Sequence, residues 1–251
     1  MRRLIQMLAI VLATGTALGA ATDEKFSIEL ELGPVWQSRN DVEIPNDGTA
    51  TRFSLEDLVG NGPWAAGRLY FTWNVKGRHG VRLLAAPLGY TETGTFDRPV
   101  FFVDQAFAAD APTEATYQFN SWRASYRYRF HDGERWHWWV GFTAKLRDAK
   151  IELRQGELAA EDTDKGFVPL LYLRGELHWA ERWRFLFDFD GLAGGPGRAF
   201  DVALKVGYDV GERWTVAAGY RTVEGGVDID DVYNFAWFNS AVVSGSYRWG
   251  K

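Results

Sequence analysis

The chain has 251 residues, 46% apolar and 24% charged, a balance that excludes a disordered polyampholyte. Its formal charge of −5 is mild and of the wrong sign for a nucleic-acid binder, so no nucleic-acid partner is expected. Cysteine is absent, which excludes a disulfide framework, thiolate metal sites, a cysteine nucleophile and a lipid-anchored terminal cysteine.

Met1-Arg2-Arg3 is a short basic start, Leu4 to Leu18 an apolar run, and Ala17, Gly19, Ala20 and Ala21 are small. This is the layout of a secretory signal peptide over residues 1–20, with cleavage near 19–21. The apolar run is short for a spanning helix and no basic stop follows it. Losing Arg2 and Arg3 leaves 26 positive against 33 negative charges, a mature net charge of −7. No later segment approaches the ~20 apolar residues of a membrane helix, and residues 21–251 read as one domain.

From residue 25 onward the apolar period is two rather than 3.6. Trp183, Phe185, Phe187 and Phe189 alternate with Arg184, Leu186, Asp188 and Asp190. Trp122 to Phe130 and Phe200 to Val210 alternate in the same way. The pattern predicts ten strands near 26–36, 64–75, 80–93, 116–130, 136–155, 166–179, 183–193, 199–210, 214–223 and 234–249. In the fifth, the apolar parity changes between Leu146 and Ala149, which points to a bulge or an exit from a membrane. The third alternates least.

Gap lengths set the topology. Gaps after strands two, four, six and eight are short: Lys76–His79, His131–Arg135, Ala180–Arg182 and Gly211–Arg213. Those after strands one, three and five are long: 37–63, 94–115 and 156–165. The Gly-rich 194–198 and the stretch 224–233 lie on the same side as the long gaps. An up-and-down meander follows. Glu134-Arg135-Trp136, Glu181-Arg182-Trp183 and Glu212-Arg213-Trp214 each close a short turn and open a strand. Trp136, Trp183 and Trp214, with Trp249 at the chain end, are therefore expected in one aromatic girdle at a membrane–water interface.

Alternation alone fits a soluble barrel with an apolar interior or a membrane barrel turned inside out. The row Trp183-Phe185-Phe187-Phe189 is too bulky to converge inside a small barrel. Strands of about 10–15 residues match a tilted bilayer crossing, and lipid outside demands closure, since open edges leave backbone groups unpaired in hydrocarbon. The expectation is an all-β fold: a closed up-and-down antiparallel transmembrane β-barrel of ten strands, with short periplasmic turns and long extracellular loops.

The signal peptide, even strand number, short turns and aromatic last strand (Phe235, Trp237, Tyr247, Trp249) resemble bacterial outer-membrane β-barrel proteins. The resemblance covers the whole mature chain and concerns architecture. It implies residence in the outer membrane of a Gram-negative cell, with the lipid bilayer, lipopolysaccharide and the barrel assembly machinery as partners. One departure is that Gly250 and Lys251 follow Trp249, where such proteins usually end on the aromatic residue. Ten strands is also the count of the omptin proteases, whose catalytic histidine lies toward the outside. Here His79, His131, His137 and His178 all fall in or beside short turns, at the expected periplasmic rim, and no general base is left outside. The outer acids Glu161, Asp162, Asp164, Asp228, Asp230 and Asp231 read as solvated loop acids, and no enzyme activity is expected.

The inward parity carries Arg68, Arg82, Arg123, Arg127, Arg129, Lys145, Arg147, Arg174, Arg184, Lys205, Arg221 and Arg248. Facing these twelve cations are Glu29, Glu31, Glu176, Asp188, Asp190, Asp201 and Asp209, seven acids, so the surplus is five. One reading is a structural ion-pair network filling a narrow lumen. The other is a narrow, porin-like passive pore preferring small anions. Arg123 and Arg127 are candidates to pair with Asp188 or Asp190. Asp228, Asp230 and Asp231 are weak calcium candidates whose spacing lacks a full binding loop, so no metal or cofactor is expected.

In the first long loop, Ser54-Leu55-Glu56-Asp57-Leu58 reads as a capped helical turn. In the second, Val100 to Val103 and Phe107 are apolar. They are expected to extend a strand pair above the membrane; the alternative is an inward lid over a site for a small apolar molecule. The functional expectation is a non-enzymatic structural barrel or narrow conduit of ligand unknown. The rivals are an outer-surface binding protein using loops 37–63 and 94–115 and, more remotely, an enzyme.

Overall fold

A computed structural model describes residues 24–250; the expected signal peptide and Lys251 lie outside them. The elements are β1 (Phe26–Glu43), β2 (Phe53–Ser54), α1 (Leu55–Val59), β3 (Trp64–Lys76), β4 (His79–Ala86), β5 (Gly89–Thr95), β6 (Val100–Phe102) and β7 (Gln105–Phe107). They continue with β8 (Pro112–Asp132), β9 (Trp136–Gln155), β10 (Leu158–His178), β11 (Trp183–Gly194), β12 (Gly197–Val210), β13 (Trp214–Ile229) and β14 (Val232–Trp249). Every strand pairing is antiparallel, and β1 returns to β14 from Phe26 against Trp249 to Glu43 against Tyr233. The sheet is therefore closed.

Counting β4 and β5 as one broken stave, the barrel has ten staves, all at the expected places. The break falls at Pro87, which has no N–H to give the ladder, and both halves pair with β8. It explains the weak alternation of the third strand.

The outer side differs from expectation. Residues 156–165 are not a loop: β9 and β10 stay paired to Gln155 and Leu158, closed by Gly156 at φ +61° and Glu157. Likewise 224–233 is strand, with β13 and β14 paired to Ile229 and Val232, and 194–198 shrinks to a turn between Gly194 and Gly197. The hairpins continue well past the outward apolar band.

The parity change in β9 has the same origin. The β8–β9 register runs without a shift through Leu146 and Asp148, so there is no bulge. What changes is the solvent outside. Phe142 (68% exposed) and Leu146 face outward, followed on the same face by Asp148, Lys150, Glu152 and Arg154. Inside, Thr143 and Lys145 give way to buried Ile151 and Leu153. In β8, outward Tyr126 and Trp122 give way to Gln118 and Thr116, while inward Arg123 gives way to Tyr117 and Ala115. The barrel is thus apolar outside in its lower part and apolar inside in its upper part. Trp136 to Leu146, eleven residues at about 3.4 Å and a tilt of about 45°, rise about 25 Å, the height of an outer-membrane apolar band.

Candidate functional site

The lower lumen is filled by charge. Lys205 Nζ donates to Glu29 Oε1 at 2.5 Å and Glu31 Oε2 at 2.7 Å. Arg221 bonds Glu31 at 2.7 Å and also Asp201, which Arg68 reaches at 2.6 Å and Arg123 at 2.8 Å. Arg82 bridges Glu29 at 3.2 Å and Asp188 at 2.7 Å, and Arg174 joins Asp188 at 2.8 Å to Glu176 at 3.0 Å. Arg184 carries the chain on to Glu176 and Asp209, and Arg123 also meets Asp190 at 3.0 Å. Arg82 on β4 and Asp188 on β11 lie four staves apart, as do Arg123 on β8 and Asp201 on β12, so these pairs cross the lumen. Guanidinium forks suit this role because each can hold two carboxylates in fixed geometry.

Three acids not counted from the sequence also engage lumen cations. Asp164 accepts from Arg147, Asp132 lies 3.4 Å from Arg129, and Glu24 lies 3.0 Å from Arg248. They reduce the expected surplus of five to two. Two expected members of the network are outside it. Arg127 reaches neither Asp188 nor Asp190; its Nη2 donates to Asn74 Oδ1 at 3.0 Å and it lies 4.9 Å from the Trp139 ring. Lys145 lies 4.5 Å from the Phe119 ring centroid. The physical reason is local: β8 and β9 bring no acid to the inner face beside them.

Above the charges, the interior is packed with apolar side chains. Val100, Phe102 and Phe107 are buried, and Phe53 meets Phe96 at 5.4 Å and Phe102 at 5.9 Å edge-on. The expected extension of a strand pair is thus incorrect: β6 and β7 pair only with each other and fold inward, since rings left above the bilayer would face water. Val103 N donates to Ile44 O at 2.8 Å, and Gln155 binds both Ala108 backbone groups, tying this hairpin to the wall. α1 forms as expected, with Ser54 Oγ accepting from Asp57 N at 3.2 Å, and it buries Leu55 and Leu58.

Sequence reasoning missed the floor of this plug. Trp64 stacks on Tyr90 at 3.9 Å, Tyr90 lies 5.6 Å from Tyr117, and Tyr117 lies 5.6 Å from Phe238. The row runs from β3 through β5 and β8 to β14, and its last contact spans four staves across the barrel. Gln37 Oε1 accepts from Tyr90 Oη at 2.9 Å and Asn40 Nδ2 at 3.2 Å, which satisfies buried polar groups inside the plug. A cavity of about 50 Å³ remains between floor and charges, lined by Phe119 and Phe238 above and Glu31, Arg68, Arg123 and Arg221 below.

The remaining candidates fall at the two ends. Trp136, Trp183 and Trp214 are exposed at one end of the barrel, and Trp249 lies there against Tyr247 and Phe26. All four histidines are at that end; His137 Nδ1 lies 2.7 Å from Asp132 and its ring 5.2 Å from His178. At the other end, Asp228 accepts from Asn46 at 2.8 Å, and no group of three or more His, Asp or Glu gathers for a metal among the described residues. A hydrogen bond from Lys150 holds the Glu152 carboxyl below the usual range, whereas partial burial pushes Asp162 up.

No family model and no curated protein matches the sequence. Among solved structures, the outer membrane protease OmpT from Escherichia coli matches with TM-score 0.61 at 9% identity, over 91% of this chain and 98% of that one. The fold is that of the bacterial outer-membrane β-barrels. The same search returns Neisserial surface protein A (NspA), TM-score 0.40 at 12% identity over 89% and 97% of the two chains. It also returns the translocator domain of autotransporter NalP from Neisseria meningitidis, TM-score 0.44 at 10% identity over 90% and 88%. As that fold requires, the apolar band of this barrel faces outward.

Proposed function

We propose that the chain is a non-enzymatic structural barrel with no open passage, which holds a rigid head above the outer leaflet. The observation that carries this is the plug: rings from loops 44–63 and 96–111 fill the upper interior over an aromatic row that reaches from wall to wall. Below it, carboxylates and guanidinium groups in contact across the lumen support the structural reading over the narrow anion conduit. On this account Trp136, Trp183, Trp214 and Trp249 form the girdle at the periplasmic interface. The partners are the bilayer, lipopolysaccharide and the barrel assembly machinery.

The absence of catalysis is supported by the histidines standing at the periplasmic end, and by the outer acids holding Arg147, Lys150 and Asn46. Recognition by the head is a second reading, favoured by outward Lys150, Arg154 and Lys165 among Glu152 and Glu161. It calls for a polar partner; the apolar residues of both loops pack on each other rather than leaving room for an apolar ligand. Liposome swelling tests the main reading. Vesicles carrying the purified protein should exclude small sugars and amino acids as well as protein-free vesicles do, and swelling at a rate that scales with protein would overturn it.

A further inference from the structure

Beyond the outward apolar band the wall is uneven. β10 pairs with β9 along almost its whole length, from Leu177 against Trp136 to Leu158 against Gln155. On its other side, the ladder to β11 runs only from His178 against Arg184 to Leu171 against Gly191. β11 then turns back into β12 between Gly194 and Gly197, while β10 climbs on. Among the described residues no strand pairs with Leu158–Leu170 on that side. Pro169, which has no N–H to give a ladder, sits just above the last pair. The space over the turn is open: Leu192 to Pro196 are exposed, and a Cβ added to Gly194 or Gly195 would meet nothing within 4 Å. β10 therefore ends in a free sheet edge. Residues 158–166, past the apolar band, make about 30 Å of it at about 3.4 Å per residue.

Such an edge is tolerated because water, not hydrocarbon, solvates its unpaired N–H and C=O groups. Their fixed alternate spacing is matched by another extended backbone, which makes a free edge a template for strand addition. The side chains set the class of partner. Glu161, Asp162 and Asp164 stand on this edge against one cation, Lys165. Arg147 answers Asp164, and Lys150 lies 4.0 Å from Glu161. Asp162 is half-buried and has no hydrogen-bond or ion-pair partner among the described residues. Opposite charges facing across a ladder stabilise it and like charges destabilise it. A second copy of this edge is a poor fit, since antiparallel pairing centred on Asp162 or Thr163 would set Asp162 against itself or against Asp164. We propose that the free edge of β10 binds an extended segment of another protein as an added β-strand, with a lysine or arginine opposite Asp162. The proposal rests on recognition by the head and gives that reading its partner class; it is independent of whether the lumen is closed.

The test uses the full mature chain refolded in detergent and a synthetic peptide that alternates lysine with threonine. In the free protein, amides of 158–166 should alternate between slow exchange, where they bond to β9, and fast exchange on the edge. Bound peptide should slow the fast set at least tenfold and leave the tip of the β13–β14 hairpin unchanged. Methylating the peptide amides that meet the edge should abolish binding, read by fluorescence anisotropy, while methylating the alternate set should spare it. A glutamate–threonine peptide should not bind. Asp162→Lys should weaken the lysine peptide at least tenfold; if that variant does not fold, the exchange pattern and the two methylated peptides decide. Binding without edge protection, or equal binding of both methylated peptides, would reveal charge attraction alone and overturn the proposal. So would no binding, or equal binding of the glutamate peptide. Edge protection that appears with protein concentration alone would give the edge to a second copy and overturn it as well.

Discussion

Phe102→Ala tests how the plug is held. Phe102 is fully buried, meets Phe53 edge-on at 5.9 Å, and sits on a hairpin whose strands pair only with each other. Replacing the ring by methyl removes buried area and leaves a cavity, at about 3–5 kcal/mol for a Phe→Ala change in a packed core. The barrel ladder does not pass through this hairpin, so the loss should fall on docking of the plug and leave the staves intact. At about 1.4 kcal/mol per tenfold, the open population of β6–β7 should rise roughly 100- to 5,000-fold. Amide hydrogen exchange on detergent-refolded protein reads this directly. The amides of residues 100–107 should lose protection by that factor, while those of β9 and β10 below Leu146 hold theirs. Unchanged exchange in 100–107 would refute inward packing, and uniform loss around the barrel would refute the separation of plug from wall.

Phe187→Arg should prevent stable insertion, because Phe187 faces outward mid-strand and a guanidinium near the bilayer midplane costs about 2–4 kcal/mol; gel migration before and after boiling should show no folded band. Glu31→Gln, which weakens the acceptor shared by Lys205, Arg221 and Arg68, should lower stability to denaturant by about 3–5 kcal/mol. Arg198→Gln, which breaks an exposed pair with Glu224, should change it by less than about 1 kcal/mol. Glu152 should titrate below ordinary glutamates, and Lys150→Met should bring it back up, read by side-chain carboxyl NMR. The sign follows: a depressed carboxyl contributes stability above its unfolded pKa, and loses it as pH falls through the folded value.

All ten staves were legible in the sequence because period-two alternation and gap length are local signals. The outer half was not, because the same alternation reverses its meaning there. In 147–165, Ile151, Leu153 and Ala160 alternate with Lys150, Glu152, Arg154 and Glu161 as cleanly as the membrane rows do. Tested against lipid outside, this phase reads as a bulge or membrane exit up to 155 and as loop over 156–165; with water outside it is strand throughout. Lumen cations such as Arg82 and Lys205 could be placed on the inner face by parity, but their partners lie two to four staves away, and no local spacing encodes that. The same holds for the floor: Trp64, Tyr90, Tyr117 and Phe238 are ordinary aromatics in sequence, made a barrier by closure of the ring.

The sealed lumen is tested most directly by current through a planar bilayer containing the purified barrel. The parent should show no steady conductance in molar potassium chloride, and removal of residues 97–110 should not by itself open a large pore, since the ion pairs below remain in contact. Well-resolved, ohmic single-channel steps from the parent protein would contradict the account.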